Sequence, residues 1–74
     1  TRAREATDRI HRALAELEPI FREVIVLFDL QGHSYQEIAQ ICDIPVGTVR
    51  SRLGRGRNAL RLALLAQGGL EEIP

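Results

Sequence analysis

At 74 residues the chain has room for one domain, and a domain of that size buries only roughly 60% of the surface its unfolded chain exposes, which argues against a second domain or a deep catalytic cleft. Hydrophobic residues make up 45%, too many for a disordered chain; with no Trp and 4% aromatics, the core must come mainly from Leu, Ile, Val and Ala. The formal net charge is zero, which taken alone speaks against nucleic acid, and a single cysteine, Cys42, excludes an internal disulfide.

Ile10, Ala13, Leu14 and Leu17 fall at helical spacing and predict a first helix from about Arg4 to Glu16. Pro19 suits the first turn of a second helix, where its missing N–H is harmless. That helix runs to about Leu30, and its broad apolar set (Ile20, Phe21, Val24, Ile25, Leu27, Phe28 and Leu30) predicts burial on most sides. The run from Val24 to Leu30 also fits a strand, but the other segments are helical and helix is preferred. Gly32 is the expected left-handed stop. Ser34, with Glu37 three residues on, forms a capping box that opens a short third helix carrying Tyr35, Ile38, Ala39, Ile41 and Cys42. Asp43-Ile44-Pro45 breaks it, and a long fourth helix runs from about Val46 to Ala66. The expected fold is all-α, a single four-helix domain over residues 1–74 with an ordered core at about 4–66 and a loose tail at 67–74.

The stretch from Ser34 to Leu53 has the grammar of a helix-turn-helix formed by helices 3 and 4: a capped short helix, a three-residue turn, a second helix. Ala39 is small where the helices cross, Ile44 plugs the turn, and Val49 and Leu53 anchor the second helix. Asp43 takes the left-handed position usually held by Gly. An ordinary helical hairpin fits the same pattern. On a helical wheel, Val49, Leu53, Gly56, Leu60 and Leu64 share one stripe, and Arg50, Ser51, Gly54, Arg55, Asn58 and Arg61 lie opposite or beside it. That outer face offers forked cations, a hydroxyl and an amide to a major groove. Arg52 falls to the side, where a salt bridge to an acid such as Glu37 competes with a DNA contact.

Charge follows the same division. Residues 13–43 carry Glu16, Glu18, Glu23, Asp29, Glu37 and Asp43 against Arg22 alone, whereas residues 44–70 carry five arginines and no acid. All basic residues are Arg, which forks onto phosphates and guanine edges as Lys does not. The asymmetry marks a local phosphate-facing patch; GC-rich coding with a solvated helix face accounts for the arginines equally well.

Three segments carry a family resemblance. Leu17-Glu18-Pro19 followed by Arg22-Glu23-Val24-Ile25 is similar to the L-P-x-x-x-R-E-V opening of region 4 of bacterial sigma factors. Gly32 to Ala39 is similar to its G-x-S-Y-x-E-I-A segment, and Ile44 to Leu53 resembles I-P-x-G-T-V-K/R-S-R-L. The Pro45-Val46-Gly47-Thr48-Val49 form resembles the extracytoplasmic-function group. The resemblance spans about Leu14 to Leu62 and implies a sequence-specific domain that binds the upstream promoter box, centred near minus thirty-five, as double-stranded DNA. It also implies RNA polymerase core as partner, through the tip of the beta flap, and a possible anti-sigma factor. Carried over residue by residue, it implies Arg50, Ser51 and Arg55 for base or nearby backbone contacts, and Ser34, Thr48 and Arg57 for phosphates. The chain departs from the pattern at Gly54, often bulkier in the family, and at Gly56, usually Ala. The sigma region that melts promoter DNA is absent from these residues, so this chain is not expected to initiate transcription alone.

Other chemistries find no support. His11, His33 and Cys42 lack zinc spacing, with only one thiol among them; Cys42 reads as a small core residue. His33, Ser34 and Asp43 suggest a hydrolase only superficially, because Ser34 already caps a helix and there is no nucleophile elbow. Tyr35 reads as a half-buried helix residue that could also stack. No enzyme, cofactor, metal or small-molecule substrate is expected. No apolar run reaches the roughly 18 residues of a membrane span, and the charged start Thr1-Arg2-Ala3-Arg4-Glu5 has no signal-peptide apolar region behind it. The expectation is a cytoplasmic protein without a membrane role, and the abrupt start at Thr1 suggests a fragment. Two alternatives stay open: a protein-interaction module bound by a polymerase subunit or anti-sigma factor with DNA binding lost, and a helix-turn-helix of the response-regulator type.

Overall fold

The computed structural model describes residues 2–67. It holds four helices: α1 (Arg2–Ala15), α2 (Pro19–Ile25) with a π-helical extension over Val26–Leu30, α3 (Tyr35–Cys42) and α4 (Val46–Ala66). The all-α architecture read from the sequence is the one observed. Of the expected tail at 67–74, residues 68–74 lie outside the described residues. Among the described residues no helix is long and apolar enough to cross a membrane.

Helix α4 is the axis of the assembly. Helices α1, α2 and α3 all pack against it, α2 most extensively. Twenty-one residues at about 1.5 Å each make it roughly 30 Å long, so its first half can serve α3 while its second half supports α1. The core is Leu14, Leu17, Val24, Ile25, Ile38, Val49 and Leu53, one or two from each element. Ile38, Leu53, Val24 and Val49 are its largest fully buried side chains. Each is worth roughly 1.5–3 kcal/mol of transfer from water.

The α1–α2 corner shows how local chemistry sets the packing. Ala13 and Leu14 bury the end of α1, and Leu17 follows them into the core. Glu18 takes an extended conformation (φ −60°, ψ 145°) and Pro19 opens α2. At the end of α1, Ala13 O and Leu14 O accept from the Glu16 and Leu17 N–H groups at 3.1 Å, and Arg22 adds to them, its guanidinium donating to Leu14 O at 3.3 Å and to Ala15 O at 3.1 Å. The basic residue of the L-P-x-x-x-R-E-V signature is thus a clamp between helices.

Helix α2 continues to Leu30 as expected, but its last five residues widen into a π-helix. Gly32, at φ 78°, turns the chain, and the His33 N–H closes back onto Leu27 O at 2.9 Å. The wider turn places Phe28 and Asp29 toward the start of α3 and the middle of α4, where both find partners. At the far end of α4, Gln67 donates from Nε2 to Arg9 O at 3.2 Å, tying α4 to α1.

Candidate nucleic-acid interface

Helix α3 begins with the expected capping box. Ser34 Oγ accepts from the Glu37 N–H at 3.1 Å, and Glu37 Oε1 accepts from the Ser34 N–H at 2.8 Å. That backbone hydrogen bond holds the Glu37 carboxyl below its usual range, despite a small opposing cost of desolvation; nearby His33 acts in the same direction. Helix α3 ends on Asp43 at φ 56°, ψ 52°. The Ile44 N–H returns to Ala39 O at 3.0 Å and the Asp43 N–H to Gln40 O at 3.4 Å, a Schellman closure with Asp in the left-handed position. Ile44 packs on the core, and extended Pro45 (φ −64°, ψ 151°) launches α4. The Val46 and Gly47 N–H groups at the start of α4 have neither an intrahelical acceptor nor a side-chain cap, whereas the Thr48 and Val49 N–H groups donate to Pro45 O at 3.0 and 3.2 Å.

The wheel reading of α4 holds in three dimensions. Val49, Leu53 and Gly56 are buried, whereas Arg50, Ser51, Gly54, Arg55 and Asn58 are exposed. Among the described residues neither Arg50 nor Arg55 forms a salt bridge. A Cβ built at Gly54 would meet nothing within 4 Å, leaving a gap between the two arginines. Ser51 Oγ donates to Thr48 O at 3.2 Å, which leaves its lone pairs to accept from a base amino group. Arg61 donates to Asn58 Oδ1 at 2.8 Å, so the Asn58 amide nitrogen keeps its protons.

The two edges of this face differ. Arg55 stands clear of the protein. Arg50 lies over the Tyr35 ring, 5.7 Å from its centroid; Tyr35 packs on Phe28 with centroids 5.0 Å apart at 43°; and Arg57 lies over the Phe28 ring at 5.5 Å. Arg57 also donates to Asp29 Oδ1 at 2.9 Å, which holds its guanidinium charged, above its ordinary range. Arg50 and Arg57 are two turns apart on α4, about 10 Å along its axis, and the aromatic pair spans between them.

The remaining expected contacts distribute as follows. Ser34 is exposed and Thr48 half-buried, each at the start of its helix; the Ser34 backbone N–H is taken by Glu37, so only its hydroxyl is left to donate. The salt bridge weighed between Arg52 and Glu37 is not formed: Glu37 faces His33 Nδ1 at 3.7 Å, and half-buried Arg52 acts on Cys42 instead. Cys42 is half-buried and packs against the core cluster. It ends α3 at the margin of the core, donating from Sγ to Glu23 Oε1 at 3.3 Å, and burial, with Glu23 second, raises its pKa, keeping it a thiol. The Arg57–Asp29 pair, the Arg22 clamp and the Cys42–Glu23 bond escaped sequence reasoning, since each joins residues from different elements with no shared periodicity.

Comparison with known proteins agrees with this geometry. The family model described as Sigma-70, region 4 matches residues 7–60, a stretch that contains α3, the turn and α4 as far as Leu60. The chain is 48% identical over 52 residues to the ECF RNA polymerase sigma factor SigE of Mycolicibacterium smegmatis, covering 70% of this chain and 20% of that protein. It is 49% identical over 51 residues to the ECF RNA polymerase sigma-E factor of Escherichia coli K12, covering 69% of this chain and 27% of that protein, with the same figures for that of Salmonella typhimurium LT2. The chain therefore spans between 20% and 27% of the length of these curated relatives. With the fold, the helix-turn-helix and a family match over most of its length, the chain belongs to the Sigma-70, region 4 family.

Proposed function

We propose that this chain is the promoter-reading module of an ECF-type RNA polymerase sigma factor and binds the upstream, minus-thirty-five element as duplex DNA in the cytoplasm. The observation that carries this reading is the outer face of α4. Arg50, Ser51 and Arg55 project from one exposed side of a helix whose opposite side is locked into the core, the arrangement a recognition helix needs in a major groove. Arg50 and Arg55 reach base edges, and Ser51 a base or the adjacent backbone. Ser34, Thr48 and the free N–H groups at the start of α4 meet phosphates. Arg57 adds a weaker phosphate contact, since Asp29 already neutralises much of its charge. The molecule's overall neutrality is compatible with this role because residues 44–70 carry five arginines and no acid.

The same reading gives the domain a protein partner. Ile20, Leu30 and Ile41 remain exposed, and they supply apolar surface for the polymerase beta flap, or for an anti-sigma factor that competes for it. A salt titration of the 74-residue chain with duplex DNA tests the DNA-binding role. Binding should be measurable at low salt and weaken linearly in log–log form as salt rises, through counterion release. No association even at low salt would favour the protein-interaction module instead.

A further inference from the structure

We propose that Tyr35 and Phe28 are positioning residues for DNA readout, and that Asp29 is a built-in restraint on phosphate binding by Arg57. The inference rests on the promoter-reading function above.

Arginine is costly to use as a reading residue. A free Arg side chain samples many rotamers, and fixing it on a base edge gives up that freedom. Arg50 is exposed and without a salt bridge, yet its guanidinium is seated over the Tyr35 ring. Tyr35 is the first residue of α3, directly after the Ser34 cap, so the capping box that starts the helix also fixes the seat. Phe28 backs the ring from the π-helical end of α2. A cation held on a ring face keeps its full charge and its N–H donors at the guanidinium edge. Arg50 is thus ordered without being neutralised, as a base-reading residue requires.

Arg57 is seated on the same aromatic pair but differs in one respect. The Asp29 carboxylate takes one of its N–H donors at 2.9 Å and offsets its charge. Both partners are well exposed, at 50% and 38% of their side-chain surface, so the pair is accessible to a competing phosphate. Asp29 therefore lowers sequence-independent attraction at one edge of the reading face while leaving Arg50 to discriminate. Two arginines on one aromatic platform are assigned two roles by a single acid.

The test is equilibrium binding of the 74-residue chain to a duplex enriched from a random library and to a scrambled duplex, across a salt series. Tyr35→Leu should lower the ratio of the two affinities by about two- to five-fold, the value of an exposed cation–π contact. Tyr35→Phe should keep the ratio, since it retains the ring face and loses only the hydroxyl. Asp29→Asn should raise affinity for both duplexes alike and steepen the slope of log K against log salt by about 0.9, one added phosphate contact. A wild-type ratio in Tyr35→Leu, or a loss in Tyr35→Phe equal to that in Tyr35→Leu, would overturn the positioning role. An unchanged salt slope in Asp29→Asn would overturn the restraint. Should Tyr35→Leu fail to fold in a thermal melt, Phe28→Leu, which removes the ring backing Tyr35, takes its place: it should lower the ratio, and a wild-type ratio in the folded variant would overturn the positioning role. A wild-type chain with no sequence preference would instead refute the promoter reading, and this inference falls with it.

Discussion

The inner and outer faces of α4 obey different rules although they alternate within single turns. On the inner face, Val49 and Leu53 are sealed into the core, and a Cβ added at Gly56 would stand 3.0 Å from Ile25 Cδ1 and 3.2 Å from Phe21 Cβ. On the outer face, a Cβ added at Gly54, two residues away, would meet nothing. One face is defined by neighbours that leave no room, the other by exposed side chains, of which Arg50 rests on the Tyr35 ring while staying without a salt bridge among the described residues. Stability and recognition are thereby separable along one helix, and substitutions on the two faces should move different observables.

The largest expected effect lies on the inner face. Leu53→Ala should cost roughly 2–5 kcal/mol, a large share of the stability of a domain this small, whereas Ser51→Ala should stay within about 0.5 kcal/mol of wild type. Denaturant melts check both; similar losses would break the division between faces. The next effect is on binding. Arg50→Ala and Arg55→Ala should each cost about 1–3 kcal/mol of discrimination between the preferred box and a scrambled duplex, with melting temperatures nearly unchanged. Arg57→Ala should weaken both duplexes alike, as competition binding at fixed salt would show.

The glycines give a finer test. Gly54→Ala should stabilise the free domain by up to roughly 1 kcal/mol, because it only removes unfolded-state entropy. Gly56→Ala should lose that gain, ending neutral to about 1 kcal/mol worse, since Phe21 and Ile25 must shift to admit the methyl. Equal stabilisation by both changes would mean the crossing at Gly56 is not tight.

The division of α4 was readable before any coordinates because it rests on local rules. The 3.6-residue period separates Val49, Leu53 and Gly56 from Arg50, Ser51 and Arg55; Ser34 and Glu37 announce the start of α3; Gly32 and Pro45 punctuate the chain. The helix-turn-helix could therefore be drawn from spacing, and Asp43 was recognised as the residue that would have to turn left-handed. What lay beyond local rules was pairing across elements. Nothing in the run Val26–Leu30 distinguishes a π-helical end from an α-helical one, because its apolar pattern suits both. The family resemblance implies a phosphate contact at Arg57, and its ion-pair partner Asp29 comes from the π-helical end of α2, which no spacing on α4 announces. Cys42 packs against the core as its residue type suggests, but at its margin, and its bond to Glu23 from α2 has no signal in the spacing of either helix. The six proposed DNA contacts rest chiefly on family resemblance; geometry shows which of those residues are exposed, and binding measurements decide their roles.

The smallest expected effect concerns the cap that orients α3 and seats Tyr35. Glu37 has a folded-state pKa lowered by the Ser34 N–H. Its contribution is therefore complete above the ordinary glutamate value of about 4.3 and is lost as pH falls through the lower folded value. Helicity followed by circular dichroism on acidification should decline in that window, and Glu37→Gln, which keeps the hydrogen bond without the charge, should flatten this part of the decline. An identical acid response in wild type and Glu37→Gln would remove Glu37 from the account.

The central claim is that the outer face of α4 reads duplex sequence. Selection of bound duplexes from a random library, run in parallel with wild type, Arg50→Ala and Arg55→Ala, tests it most directly. Wild type should enrich one common box, and each variant should lose preference at a distinct subset of its positions. Enrichment of the same box by all three proteins, or of none by the folded wild type, would contradict the claim.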